Sequence, residues 1–202
     1  MKVGVLGGTF DPVHLGHLRV AEAVTEKLGL SEILFVPAGQ PWWKAGDTVS
    51  PAADRVAMLR LALAGKGRFR LSIMEVEGPG PTYTVNTMTE LRERLGPAAE
   101  LFFILGWDNL GQLPRWREPS RLIALCRLVA VPRVDFPPPD LDALEAAIPG
   151  ISRALLLLEE PRIDINASMV RQRVAKGLSI RGLVPRAVER YIKEHGLYRS
   201  EG

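Results

Sequence analysis

Short apolar runs recur along the chain at Lys2–Leu6, Ile33–Val36, Phe69–Val76, Leu101–Leu105, Leu128–Val131 and Ala154–Leu158. Several are apolar at nearly every position, the pattern of parallel strands covered on both faces. Between them the apolar positions fall at helical spacing. Val20, Ala21, Val24 and Leu28 form one stripe, which Gly29 stops. Ser50-Pro51 reads as the N-cap and first turn of a second helix, with Val56, Leu59 and Leu63 on its buried face. Further helices are predicted over Val85–Leu95, over Leu141–Ile148 after three prolines, and from Pro185 to His195 ahead of Gly196. Strands alternating with helices imply βαβ units and an α/β fold, a parallel sheet with right-handed crossovers. Ligands on such sheets sit beyond the carboxyl ends of the strands. The loops that begin after Leu6, Val36, Val76, Leu105, Val131 and Leu158 are therefore where chemistry is expected.

Composition narrows the class. No repeat or Gly/Ser linker divides the 202 residues, so one domain over 1–202 is expected, its C-terminal helical part from about 165. No apolar run approaches the roughly 20 residues that span a bilayer. The start runs into Gly7-Gly8-Thr9-Phe10-Asp11-Pro12 rather than a cleavage site, so a cytoplasmic protein without a membrane partner is expected. Cys126, the single cysteine, excludes an internal disulfide and a cysteine-rich metal cluster. The net charge of +3 suits anionic ligands, but the basic residues are scattered, which argues against nucleic acid. A homo-oligomer is left open.

The first loop carries two of the three histidines. Gly7 and Gly8 let the backbone approach a ligand, and the helix that follows presents free amides and a positive dipole end. His14 and His17, spaced i, i+3, share a face of its first turn. Two imidazoles there make a site for phosphate oxygens, as hydrogen-bond donors or carrying part of a positive charge near neutral pH. A turn with two helix-capping histidines is one alternative, and a zinc site from Asp11, His14 and His17 another.

The segment from Gly8 to His17 resembles the signature of the nucleotidyltransferase superfamily, whose H-x-G-H element binds ATP phosphates. Ile165-Asn166-Ala167-Ser168-Met169-Val170-Arg171 is similar to the superfamily's second signature, I-S-S-T-x-I-R. Over the whole chain the resemblance is to the bacterial nicotinate-nucleotide adenylyltransferase family. Val36-Pro37-Ala38-Gly39-Gln40-Pro41 with Lys44, Pro81-Thr82-Tyr83-Thr84, and Gly106-Trp107-Asp108 followed by Leu113-Pro114-Arg115-Trp116 match in order. Asn166 and Ala167 stand in place of two serines, Trp43 in place of a frequent histidine, Asn86 of an aspartate and Trp107 of a small residue. Asn166 can cap a helix as serine does.

The resemblance implies a Rossmann-like doubly wound sheet with helices on both faces, and adenylyl transfer from ATP to nicotinate mononucleotide with Mg²⁺. His14, His17 and Arg171 would be catalytic, with Gly7, Gly8, Thr9, Phe10 and Ser168 completing the ATP site. Lys44, Tyr83, Thr84, Asp108 and Trp116 would hold the mononucleotide. The metal would come with the ATP phosphates rather than on protein side chains. Read as residues alone, Arg171 fits a solvated helix face, Lys44 an ordinary surface lysine, Trp116 plain packing and Asp108 a helix or turn cap. Nicotinamide mononucleotide and phosphopantetheine are alternative acceptors, and a non-catalytic nucleotide-binding sensor is the alternative from another class. Cys126 reads as a buried small residue, and His195 as a partner of a helix C-terminus.

Overall fold

All six apolar runs become strands of one sheet in a computed structural model that describes residues 1–39, 49–78, 80–134 and 136–199. They are β1 (Lys2–Gly8), β2 (Glu32–Pro37), β3 (Phe69–Leu71), β4 (Glu100–Gly106), β5 (Arg127–Val131) and β6 (Leu155–Leu157). Their order is β3-β2-β1-β4-β5-β6 with every neighbouring pair parallel. The helices are α1 (Leu15–Leu28), α2 (Ala52–Leu63), α3 (Met74–Glu77), α4 (Thr84–Leu95), α5 (Trp107–Leu110), α6 (Pro119–Leu125), α7 (Leu141–Ala147), α8 (Ile151–Ala154), α9 (Ala167–Ala175) and α10 (Arg186–Glu194). This is the Rossmann-like, doubly wound arrangement. The winding reverses between β1 and β4, and a crevice opens beyond the carboxyl ends of those two strands.

The strands read as apolar throughout because both faces are covered. Leu6, Phe102, Ile104, Val129 and Val131 join a core completed by Val20 and Val24 of α1, Met58 and Leu59 of α2, Val170 of α9, and Val188 and Ile192 of α10. The alternate residues Val3, Val5, Leu101, Phe103, Leu105, Leu128 and Ala130 join the opposite core with Met88 and Leu91 of α4, Leu122 of α6 and Ile151 of α8. The C-terminal helices therefore pack on the same sheet face as α1 and α2.

Two boundaries differ from the sequence pattern. The run Phe69–Val76 yields only a three-residue strand, because its partner β2 ends at Pro37, which has no amide to extend a ladder. The chain turns instead into α3, closed by the Ile73 carbonyl, which accepts from Val76 and Glu77. Ser50 does not cap α2. Pro51 occupies that position, and the Ser50 amide donates to the Asp11 carboxylate (3.1 Å). Gly29 ends α1 with φ +62°, as its type predicts.

Candidate active site

The crevice is a cleft of about 610 Å³. Gly7, Gly8, Thr9, Phe10, His14 and His17 line one wall, and Thr82, Tyr83 and Thr84 at the start of α4 line another. Asp108, Trp116 and Arg133 reach it from the segments after β4 and β5.

His14 is the N-cap of α1, in extended conformation, and is 2% exposed. Its amide donates to Nδ1 of His17 (3.1 Å), so the ring proton of neutral His17 sits on Nε2 and that nitrogen is a donor. The two rings stack at 3.6 Å between centroids, and the Phe10 ring meets that of His17 edge to face, 4.9 Å between centroids. Such stacking leaves no room for a side chain at position 16: a Cβ there would lie 2.9 Å from His14 Nδ1 and 2.7 Å from Ile163 Cγ2. The glycine of the H-x-G-H element is a steric requirement.

Burial pushes the His14 imidazole down to about 3, with the Arg133 charge adding to the effect. Burial lowers His17 as well, followed by His14 and Arg133. Without a ligand burial favours the neutral form of both rings, which selects the hydrogen-bonding alternative of the two expected. A consequence is measurable. His14 binds its proton near pH 6.5 when unfolded but only near pH 3 when folded, so its stabilising effect is complete above 6.5 and is lost as pH falls from there. The Tm of the ligand-free protein should fall between pH 7 and 5, and fall less in His14→Asn. Equal slopes for both proteins would contradict this burial.

Arg171 and Ser168 do not line the cleft, although Ala167 of the same helix does. Arg171 Nη1 donates to the Asp11 carbonyl (2.8 Å) and Nη2 to Ser168 Oγ (3.3 Å), so α9 is fastened to the first loop. Asn166 caps α9 by accepting from the Met169 amide (2.8 Å). Asp11 uses its carboxylate on Tyr198 and Ser50. Among the described residues no three His, Cys, Asp or Glu side chains are grouped to hold a metal, so the zinc alternative has no site there.

Also lining the cleft, Tyr83 is the extended N-cap of α4 and Thr84 its first residue, so the start of that helix borders the cavity. Trp116 is half-buried and meets the edge of Phe103 at 6.0 Å. The Arg117 guanidinium lies 4.8 Å from the Tyr83 ring centre. Asp108 pairs with Arg133, Oδ1 to Nε at 3.6 Å. Lys44 and Trp43 lie outside the described residues.

Three residues escaped the sequence pattern. Arg133 follows β5 in one of the loops singled out, but a lone arginine after a proline has no spacing to mark it. Glu75 lines the cleft beside α4, where Thr87 Oγ1 donates to its Oε1 at 2.5 Å and burial pushes its carboxyl above the ordinary value. It sat inside a run read as strand. Arg55, 2% exposed, donates to the carbonyls of Thr9 (2.9 Å), Ala38 (2.8 Å), Gly39 (3.3 Å) and Ser50 (3.1 Å). In the sequence it is one more charge within a predicted helix. Cys126 is buried and its thiol is pushed up to about 12, as fits an inert core residue. His195 caps α10 and stacks on Tyr191.

A parallel sheet with a cleft of about 610 Å³ at its switch point, walled by a glycine loop and two imidazoles at a helix start, defines a nucleotide-handling α/β protein. A cytidylyltransferase-like family model matches residues 5–173. A probable nicotinate-nucleotide adenylyltransferase of Dehalococcoides mccartyi is 51% identical, over 100% of this chain and 98% of its own. One of Thermomicrobium roseum is 46% identical, over 98% and 92%. The fold is also that of Plasmodium falciparum nicotinic acid mononucleotide adenylyltransferase complexed with NaAD, at TM-score 0.79 and 19% identity over 98% of this chain and 97% of that one. The chain belongs to the nicotinate-nucleotide adenylyltransferase family of nucleotidyltransferases.

Proposed function

We propose that this enzyme transfers the adenylyl group of ATP to nicotinate mononucleotide, giving deamido-NAD and pyrophosphate, in cytoplasmic NAD biosynthesis. The observation that carries the reading is one cleft lined by two unlike sets of groups. The glycine loop and the His17 Nε2–H suit phosphates, and the first amides of α4 with Trp116 suit an aromatic carboxylate. The reading treats residues 1–202 as one domain.

The chemistry needs no covalent enzyme intermediate. A phosphate oxygen of the mononucleotide attacks the α-phosphorus of ATP, the bond from that phosphorus to the bridging oxygen breaks, and pyrophosphate leaves. The protein aligns the two and stabilises the charge that builds on the phosphoryl oxygens. Gly7, Gly8, Thr9 and Phe10 supply the backbone cradle, and His14 and His17 supply the imidazoles. Arg133 adds a cation beside them. Arg171 and Ser168 act from the rim, where Arg171 already holds the Asp11 carbonyl. Asp108, an acceptor when ionised, suits a ribose hydroxyl, and Lys44 is assigned to the mononucleotide phosphate. The donors present fit Mg²⁺ arriving on ATP: Asp11 is committed to Tyr198 and Ser50, so phosphate oxygens rather than a carboxylate cage would hold the ion. Its role is to offset phosphate charge.

Pyrophosphate release from ATP and Mg²⁺ with each acceptor tests the reading. Nicotinate mononucleotide should be used far better than nicotinamide mononucleotide or phosphopantetheine. Binding without release would favour a sensor. Trp116 has a narrower expectation. Its indole stacks on either pyridinium ring, a contact on the order of 1–2 kcal/mol when desolvated. Trp116→Ala should raise KM for both pyridine mononucleotides by a similar factor, and a change in their ratio would remove it from the ring site.

A further inference from the structure

Asp11 lies in the first loop and lines the cleft, but both of its carboxylate oxygens are taken by groups of the protein. It is 2% exposed, and Oδ1 accepts from the Tyr198 hydroxyl at 2.6 Å while Oδ2 accepts from the Ser50 amide at 3.1 Å. Its carbonyl accepts from Arg171 at 2.8 Å. One residue of the loop is thus fastened to the segment before α2, to α9 and to the chain's C-terminal segment, 187 residues away.

Backbone strain marks the same place. Among the described residues three non-glycines have positive φ: Phe10 (51°), Glu118 (50°) and Tyr198 (62°). Phe10 precedes Asp11 and lines the cleft against His17; Tyr198 is hydrogen-bonded to Asp11. Left-handed backbone is costly for side chains of this size and persists only where surroundings enforce it. Here the two strained residues meet through one carboxylate. Tyr198 does not line the cleft, so its hydroxyl acts on the loop rather than on a ligand.

We propose that Tyr198 is a positioning residue for adenylyl transfer, its hydroxyl bond to Asp11 holding the Phe10–Asp11 turn that sets the loop and His17 against the ATP phosphates. This rests on the assignment of the first loop to ATP. The phenol stays protonated across the working range, since burial and the Asp11 charge both push it above its ordinary value. Loosening a turn that aligns reacting groups costs rate even when binding survives, because small misplacements are amplified in an in-line transfer.

The molecule supplies its own control. Tyr191 of α10 donates to Asp54 Oδ1 of α2 at 2.8 Å, the same kind of bond from the same C-terminal region but to a carboxylate that neither lines the cleft nor belongs to the first loop. Tyr198→Phe and Tyr191→Phe each delete one oxygen and one phenol–carboxylate bond. Tyr198→Phe should lower kcat about tenfold and raise KM for ATP, leaving KM for the mononucleotide near wild type. Tyr191→Phe should lower Tm comparably with both kinetic constants unchanged. Equal kinetic losses in the two variants, or unchanged kcat in Tyr198→Phe, would overturn the proposal. His17→Ala separates the layers: if it keeps wild-type turnover, the ATP assignment of the loop has failed, and if only Tyr198→Phe is silent, the positioning role alone has failed.

Discussion

His17→Ala is expected to lower kcat by roughly 10²-fold or more, the scale of losing one preorganised donor to a developing negative charge. The ring's Nδ1 is occupied by the His14 amide, which directs the proton to Nε2 without any ligand present. The donor is in place before ATP arrives and pays no reorganisation cost during the reaction. Stability should fall too, because the ring is half-buried, stacks on His14 and accepts from the N-cap amide. That loss should be about 1 kcal/mol, the usual effect of a helix-start hydrogen bond. Turnover measured well below the Tm of the variant separates the two effects. Near wild-type kcat would remove the H-x-G-H element from the chemistry.

Acceptor choice carries the second large effect. Nicotinate and nicotinamide are nearly equal in shape, so discrimination must be electrostatic. The opening amides of α4 behind Tyr83 and Thr84 are donors only, and the helix dipole favours a negative charge there. A carboxylate accepts from them at both oxygens, whereas an amide turns its NH₂ toward one. An unmet donor pair in a closed site costs about 1–3 kcal/mol, and losing charge-assisted bonds adds to that. The acid should therefore be preferred by at least roughly 100-fold in kcat/KM, tenfold for each 1.36 kcal/mol. Glu75 bears on the size of this preference. Its carboxylate sits against the same helical turn through Thr87, and a full charge there would oppose the ligand's own. Equal kcat/KM for the two mononucleotides would show that the α4 amides do not meet the ring substituent.

What the sequence made legible were features with a period or a fixed local grammar. Two-sided apolar runs marked six strands, Gly29 and Asn166 marked helix ends, and the loops after β1 and β4 were placed on the ligand side. Gly7, Gly8, Thr9, Phe10, His14, His17, Tyr83, Thr84, Asp108 and Trp116 all line the cleft. Long-range roles were not legible. Arg55 is one charge in a helix until folding buries it, and nothing local shows the carbonyls of Thr9, Ala38, Gly39 and Ser50 that it meets. The choice between the two roles expected of the histidines was not legible either, because spacing shows that two rings are close but not that burial lowers the His14 imidazole. The bond from the Arg171 guanidinium to the Asp11 carbonyl joins residues 160 positions apart, which no local pattern marks.

The most direct test of adenylyl transfer follows the α-phosphorus. ATP labelled there is incubated with Mg²⁺, nicotinate mononucleotide and the enzyme, and the products are separated. The account predicts that the label moves into deamido-NAD in step with one unlabelled pyrophosphate released per dinucleotide formed. Label remaining in ATP, or appearing as free AMP with no dinucleotide, would contradict it.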